Sequence, residues 1–247
     1  MSTTAPHSWP PPGPAVERLA EARATGALHT TTGTLYLEDG AVVHAESPAA
    51  LDLGALLTRS GRLTATRWQQ TREAFADRCL VGPMLVGQGC LSRGELELCQ
   101  LAAVHDAAFF VLGAPPAATH FEAGVRHWLG PVLAVPPGLL RHEAVRRRDR
   151  LARIWPWPQV DDVPLRRTGR PAGHRLPLSP RRRELLGLAD GRRTPVELAR
   201  LLGRSSYATL VEVRRLAAAG LLVTPAPTLP GPPAAPPPGA VPGAATA

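Results

Sequence analysis

The 247-residue chain contains no lysine and no asparagine, and its only isoleucine is Ile154. All 28 basic residues are therefore arginines, and with 20 acidic residues they give a formal net charge of +8. A bias towards Arg, Ala, Gly and Pro is typical of a GC-rich coding sequence, so the sequence pI of about 10.9 says little about nucleic-acid binding. The absence of lysine excludes a phosphate-binding loop of the GxxxxGKS/T type.

Residue types that commonly carry catalysis or bind metals are few and scattered. The three cysteines are an odd number without a CxxC pair, which is expected in a reducing compartment. Ser47 lacks the G-x-S-x-G context of a hydrolase nucleophile. The histidines have no metal-ligand spacing and are predicted to be isolated core or surface residues: His44, His105, His120, His127 and His142. The sequence therefore predicts a protein that is not an enzyme and that has no cofactor or metal.

Targeting and membrane-spanning segments are also missing from the sequence pattern. The first residues include neither the basic nor the apolar region of a secretory signal peptide. The most apolar later stretch, residues 128–140, is short and contains three prolines. A membrane helix needs about 20 consecutive apolar residues, which this stretch does not supply. These features predict a cytoplasmic protein without membrane association.

Proline and charge divide the chain into segments. Proline is concentrated in residues 1–14 and 225–247, which lack apolar periodicity and are predicted to be disordered. Residues 1–112 contain 8 Arg and 11 acidic residues, whereas residues 113–247 contain 20 Arg and 9 acidic residues. This contrast in charge indicates two modules with different surfaces.

The first module, predicted at residues 15–155, begins with strands. Three runs between Gly26 and Glu46 contain residues that suit a pleated backbone. Asp39-Gly40 between the last two runs is typical of a type I′ hairpin turn. Apolar residues at helical spacing follow, with a capping box that begins at Ser92. The sequence predicts an α+β fold, in which a small three-stranded antiparallel meander packs against helices.

The later part of this module is predicted to be mostly helical. Residues 68–81 are a helix candidate, and the apolar run 105–112 suits either a strand or a continued helix. Residues 139–154 are predicted to form a helix with an arginine-rich outer face. Its run Arg146–Arg148 suits a solvated helix face or, as an alternative, contact with phosphates. Residues 156–175 are poor in apolar residues and are predicted to be a linker, in which the acidic pair at 161–162 is solvated.

The second module, predicted at residues 176–224, has clear helix boundaries. Ser179-Pro180 and Thr194-Pro195 each have the pattern of an N-cap followed by proline at the first helical position. A glycine then separates the second helix from a third, which begins near Ser205 or Ser206. Three helices with a glycine turn between the second and third indicate a winged-helix-like helix-turn-helix module.

The N-terminal two-thirds of the chain resembles the PATAN-type domain, which is named for the N-terminus of a cyanobacterial response regulator. The matching residues are Gly33-Thr-Leu-Tyr-Leu-Glu-Asp-Gly-Ala-Val-Val-His-Ala-Glu46 and Gly54-Ala-Leu-Leu57, with looser matches over 85–96 and 143–147. The resemblance implies a signalling or interaction module of a bacterial regulator, without enzymatic activity. It therefore implies a regulatory protein partner for residues 15–155 but does not identify that partner.

The C-terminal module resembles winged helix-turn-helix modules of bacterial regulators. Its pattern Leu-Leu-x-Leu-x-Asp190-Gly-x-x-Thr194-x-x-Glu197-Leu-Ala is widely shared among them. The module is also similar to the helical part of modules that bind the leader peptides of precursors. It departs from the DNA-binding pattern after Val223, where only a proline-rich tail follows and no second wing strand is available. Contacts through a wing are therefore not expected.

If the third helix enters a major groove, the residues at its start face the bases. Arginine can pair with guanine, and Ser or Thr can reach either base edge. The candidates for base contact are Arg204, Ser205, Ser206, Tyr207 and Thr209. The candidates for phosphate contact are Arg181, Arg182, Arg183, Arg214 and Arg215. The alternative is that the serine is only an N-cap and that the arginines are solvated.

Two hypotheses of function follow from the sequence. In the first, the chain is a transcriptional regulator whose first module receives a signal and whose second module binds DNA. In the second, it is a signalling adaptor whose helix-turn-helix mediates protein or peptide contacts without DNA. The arginines at 181–183 favour the first hypothesis. The missing wing and the small charge excess of residues 184–225, with 6 Arg and 4 acidic residues, favour the second.

Overall fold

The computed structural model describes residues 12–113, 119–169 and 178–225, and it confirms the predicted α+β class. The strands within these ranges are β1 (Gly26–Thr30), β2 (Gly33–Glu38), β3 (Ala41–Glu46) and β4 (His120–Ala123). The helices are α1 (Pro12–Glu21), α2 (Leu53–Arg59), α3 (Ala65–Phe75), α4 (Val81–Gly87), α5 (Arg93–Val111), α6 (Pro137–Ile154), α7 (Pro180–Leu188), α8 (Pro195–Leu202) and α9 (Ser206–Ala218). Predicted disorder at 1–14 and 225–247 falls outside the described residues except at 12–14, which begin α1, and at Pro225.

The first three strands form the predicted meander. Asp39 and Gly40 have φ values of 49° and 80°, and positive φ at both central positions is what a type I′ turn requires. The structure adds β4 beside β1, so that the order is β3-β2-β1-β4 with all pairs antiparallel. No residue of β4 is fully buried. The sequence of β4 also lacks the alternation of apolar and polar residues from which a strand can be predicted.

Two apolar cores stabilise the N-terminal module. In the first, Leu28 and Leu35 of the sheet pack against Val104 of α5, together with α1 and α6. In the second, Trp68 of α3 and Leu129 pack among α2, α4 and the first half of α5. Helix α5 contributes to both cores and is therefore the central element of the module.

Two of the helical predictions need refinement. The candidate helix over 68–81 is interrupted, because α3 ends at Phe75 and a short 3-10 turn follows at Ala76–Arg78. Cys79 then has a left-handed φ of 53°, which separates this turn from α4. The run 105–112 is helical and forms the last part of α5. The capping box at Ser92 is present as predicted, with reciprocal hydrogen bonds to Glu95.

The two longest helices, α5 and α6, pack against each other and carry the contacts to the C-terminal module. The outer face of α6 is arginine-rich, as predicted, and Glu143 forms ion pairs with Arg146 and Arg147 on the same helix. Among the helices of the described ranges, none combines the length and the apolarity needed to cross a membrane.

The C-terminal module has the three predicted helices, and its core includes part of the predicted linker. Val160 and Leu165 are buried among residues of α7, α8 and α9. Arg166 and Arg167 form single β-bridges with Asp190 on one side and Leu222 on the other. Residues 165–168 thus form an extended segment that hydrogen-bonds to the chain at 189–193 and at 221–223, and they precede the three helices in the chain. Buried side chains and backbone hydrogen bonds together hold residues 160–168 against the module, although the predicted linker is poor in apolar residues. Residues 170–175 lie outside the described part.

Candidate interaction site between the two modules

The carboxylate of Asp106, on α5, closes the N-terminus of α9. Its Oδ1 accepts hydrogen bonds from Ser205 Oγ at 2.7 Å and from the Tyr207 amide at 3.0 Å. Its Oδ2 accepts a hydrogen bond from the Ser206 amide at 2.8 Å. Asp106 is 3% exposed. The free amides and the positive dipole end of α9 are therefore satisfied by an acidic side chain of the other module.

Aromatic and apolar contacts surround this carboxylate. The Tyr207 ring lies between the Arg147 guanidinium, whose carbon is 4.5 Å from the ring centroid, and the Phe109 ring at 5.4 Å. Leu210 of α9 packs with Phe109 and with Leu151 of α6 in a shared apolar cluster. Arg147 also donates to the carbonyl of His105, which fixes its guanidinium. The contact thus combines an apolar cluster with a buried polar cap.

Three of the five residues predicted to face DNA bases, Ser205–Tyr207, lie at this contact between the modules. The other two contact their own module: Thr209 is buried and donates to the Ser205 carbonyl, and Arg204 forms an ion pair with Glu184 of α7. In this arrangement the five residues therefore face protein.

The arginines predicted to contact phosphates are divided by the fold. Arg214 is 5% exposed and forms a two-pronged ion pair with Asp161, with distances of 3.0 and 2.6 Å. Arg182 and Arg215 both pair with Glu212. The remaining two, Arg181 and Arg183, are exposed and form no ion pair with the described residues. DNA contact by these residues stays a prediction.

Asp161 is not solvated as the sequence suggested. Its carboxylate is largely buried beneath α9 and pairs with Arg214, which also donates to the carbonyl of Trp155 at 2.6 Å. Burial raises the pKa of Asp161, and the hydrogen bonds from Arg214 oppose that shift. The pair therefore joins the segment after α6 to the middle of α9.

Asp106 belongs to no motif that the sequence indicates as functional. The residue is the only acid in the apolar run 105–112, and its partners are about 100 positions away in the sequence. A single carboxylate within an otherwise apolar helix segment was the available signal, because buried charges are almost always paired.

A second polar cluster lies between β2, β3 and the segment after β4. The His44 and His127 rings are stacked with centroids 4.0 Å apart. The prediction that these two histidines are isolated is therefore wrong. Glu46 connects them to Tyr36, because its carboxylate accepts from His127 Nε2 at 3.0 Å and from the Tyr36 hydroxyl at 3.2 Å. Burial raises the pKa of Tyr36 to about 12.

Ligand atoms of His44, Glu46 and His127 lie within 4.8 Å of one another, which is a spacing that a metal ion could bridge. The ring nitrogens of His127, however, are both in use. The Leu129 amide donates to Nδ1, so Nε2 carries the ring proton and donates to Glu46. A metal at Nε2 would have to displace that proton. The geometry therefore fits a hydrogen-bond network centred on Glu46 and His127 better than a set of free metal ligands, although the buried Nδ1 of His44 has no partner in it.

We expect Asp106→Ala to lower the free energy of unfolding by about 2 kcal/mol, because three donors lose their acceptor. The amides of Ser206 and Tyr207 should then exchange their hydrogens faster, which hydrogen-exchange mass spectrometry can measure. Asp149→Ala is the matched control, because Asp149 is an exposed acid on α6. Unchanged exchange at the start of α9 would show that Asp106 does not hold this helix.

Comparison of the chain with protein families, curated proteins and solved structures gives no significant match. The resemblances to the PATAN-type domain and to winged helix-turn-helix modules therefore rest on the motifs quoted above. Any function has to be argued from the geometry of the chain itself, above all from the contact that joins α5 and α6 to α9.

Proposed function

We propose that this chain is a non-enzymatic regulatory adaptor whose helix-turn-helix module is used for contacts with protein rather than with DNA. The observation that carries the proposal is the closed N-terminus of α9. In a DNA-reading helix-turn-helix, this end of the third helix contacts the bases. Here the Asp106 carboxylate accepts hydrogen bonds from the same end.

Charge supports the same proposal. A carboxylate at the start of α9 would repel phosphate, and three of the five candidate phosphate contacts, Arg182, Arg214 and Arg215, are neutralised by Glu212 or Asp161. Affinity for DNA depends on neutralising phosphates with free basic side chains. Of the five candidates, only Arg181 and Arg183 keep a guanidinium without an ion pair to the described residues.

Regulation in such an adaptor would act through the contact between the modules. In the docked state the start of α9 contacts Asp106, as in the structure, and in the undocked state it does not. A protein partner that binds residues 15–155 and prefers the undocked state would release α9, whereas a partner that prefers the docked state would hold it. The signal is thus a shift in the population of docked and undocked chains.

A second candidate function is a DNA-binding regulator that is autoinhibited by its first module. The exposed, unpaired side chains of Arg181 and Arg183 on α7 favour it. In helix-turn-helix complexes the first helices of the module run across the DNA backbone, where such side chains meet phosphates. Undocking would then release the first residues of α9, Ser206 and Tyr207, from Asp106 and leave them free to meet the bases.

Fluorescence anisotropy with a random-sequence DNA duplex separates the two functions. The full chain, Asp106→Ala and Asp149→Ala are titrated from about 50 to about 200 mM salt. The Asp149→Ala control removes the same charge without opening α9, so it corrects for the change in net charge. The adaptor proposal expects all three proteins to bind DNA equally weakly, with dissociation constants above about 0.1 mM at the higher salt.

A gain in DNA affinity in Asp106→Ala would contradict the adaptor proposal. If Asp106→Ala binds DNA at least tenfold more tightly than Asp149→Ala, the adaptor proposal is wrong and the autoinhibited regulator replaces it. Adding Arg181→Gln and Arg183→Gln to Asp106→Ala should then flatten the salt dependence by about two phosphate contacts.

A further inference from the structure

An open cleft of about 750 Å³ lies where the two modules meet. Its walls come from the turn after β1, the end of α5, the inner face of α6 and the start of the C-terminal module. Phe110, Pro156 and Pro158 provide its accessible apolar lining, above the buried cluster of Phe109, Leu151 and Leu210. The volume falls within the range of cavities that hold small molecules.

One arginine gives this cleft an uncompensated charge. Arg148 of α6 lines the cleft and is only partly exposed. Its Nη2 donates to the carbonyl of Phe109 at 2.8 Å, and its guanidinium carbon lies 5.4 Å from the Phe109 ring centroid. Burial lowers the pKa of Arg148, with no opposing effect from a nearby carboxylate. A guanidinium has five N–H donors, so most of its hydrogen-bonding capacity remains available.

No acidic side chain of the chain neutralises this guanidinium. All 20 Asp and Glu residues belong to the described ranges, and none of them forms an ion pair with Arg148. The other charged residues that line the cleft are Asp161 and Arg214, which pair with each other, and Asp162, which is exposed. A partly buried charge without a counter-ion favours a ligand that supplies one.

We propose that the cleft binds a small amphipathic carboxylate, with its apolar chain against Phe110, Pro156 and Pro158 and its carboxylate on Arg148. Planar carboxylates match the planar guanidinium through two parallel hydrogen bonds. Because α5, α6 and α9 all line the site, such a ligand would strengthen the docked arrangement. The site goes beyond the proposed adaptor function and does not depend on whether the module binds DNA.

Gly113 provides a second means of testing the site. A Cβ added at Gly113 would collide with the guanidinium of Arg148, which is the flexible end of that side chain. Gly113 is not among the glycines with left-handed φ, so alanine is compatible with its backbone. Gly113→Ala therefore displaces the guanidinium while the charge of the protein is retained.

Isothermal titration calorimetry of the full chain with sodium octanoate, below its micelle concentration, tests the proposal. We expect one site per chain with a dissociation constant below about 1 mM. Arg148→Gln should weaken this binding at least tenfold, and Gly113→Ala should weaken it severalfold. Arg150→Gln is the matched control, because Arg150 is an exposed arginine on the same helix and does not line the cleft. Its affinity should stay within about twofold of the parent.

Neutral and short probes complete the test. 1-Octanol has the same chain without the charge, and acetate has the charge without the chain, so both should bind at least tenfold more weakly than octanoate. Octanol that binds as tightly as octanoate, equal losses in Arg148→Gln and Arg150→Gln, or no saturable binding of octanoate would each overturn the proposal. Circular dichroism of each variant excludes loss of the fold as the cause of weaker binding.

Discussion

Arg214→Ala should lower the free energy of unfolding by about 3–5 kcal/mol, the largest effect that we expect from any single substitution discussed here. The change leaves the largely buried Asp161 carboxylate without its partner, and the carbonyl of Trp155 loses a donor. Urea unfolding followed by circular dichroism measures the loss as a shift of the midpoint at constant slope.

Arg215→Ala is the appropriate control for this prediction. Arg215 is the next residue along α9, and its pair with Glu212 is about one-third exposed on the arginine side. Pairs of this kind contribute about 0.5 kcal/mol. A loss below about 1 kcal/mol in Arg214→Ala would show that water reaches Asp161 and compensates for the missing guanidinium.

The second large effect is a loss of stability in mild acid through His44. Burial, and secondarily the adjacent His127 ring, lowers the pKa of His44 to about 3, although Glu46 opposes the shift. Below about pH 6.5 the unfolded chain takes up a proton on this histidine that the folded chain does not. The free energy of unfolding should therefore fall by up to about 1.4 kcal/mol per pH unit, or by about 2 kcal/mol in total between pH 6.5 and 4.5.

His44→Leu removes this titration and fills the buried position with an apolar side chain. The stability of the variant should vary with pH much less steeply over the same interval. His142, exposed on α6, provides the control substitution His142→Gln, which should keep the full slope. If His44→Leu shows the parental slope, other groups cause the acid sensitivity. The hydrogen bond from His127 lowers the pKa of Glu46, so the Glu46 contribution is lost only at lower pH.

Local signals in the sequence predicted the elements of this fold well. The Asp39-Gly40 turn, the capping box at Ser92 and the N-caps at Ser179 and Thr194 each act within a few residues. Each of these motifs fixes backbone hydrogen bonds to near neighbours, so the residue types alone determine the geometry. The positions of the meander and of the three C-terminal helices followed directly.

The contacts that define the candidate site could not be predicted in the same way. Asp106 meets Ser206, Asp161 meets Arg214, and His127 meets His44 across long separations in the chain. Such pairs arise from the packing of α5, α6 and α9, which no spacing or composition encodes. The sequence predicted which side chains occur at the start of α9, but it could not show that another module covers them.

The extended segment 165–168 of the C-terminal module also has a consequence for the order of synthesis. This segment leaves the ribosome before either of its hydrogen-bond partners, which are at 189–193 and 221–223. The C-terminal module can therefore close only after nearly all of the described chain has emerged. The N-terminal module, including Asp106, is complete earlier and can fold first. When α9 is synthesised, the Asp106 carboxylate is thus already in place to accept hydrogen bonds from its first amides. The folded N-terminal module then serves as a template for completing the C-terminal module.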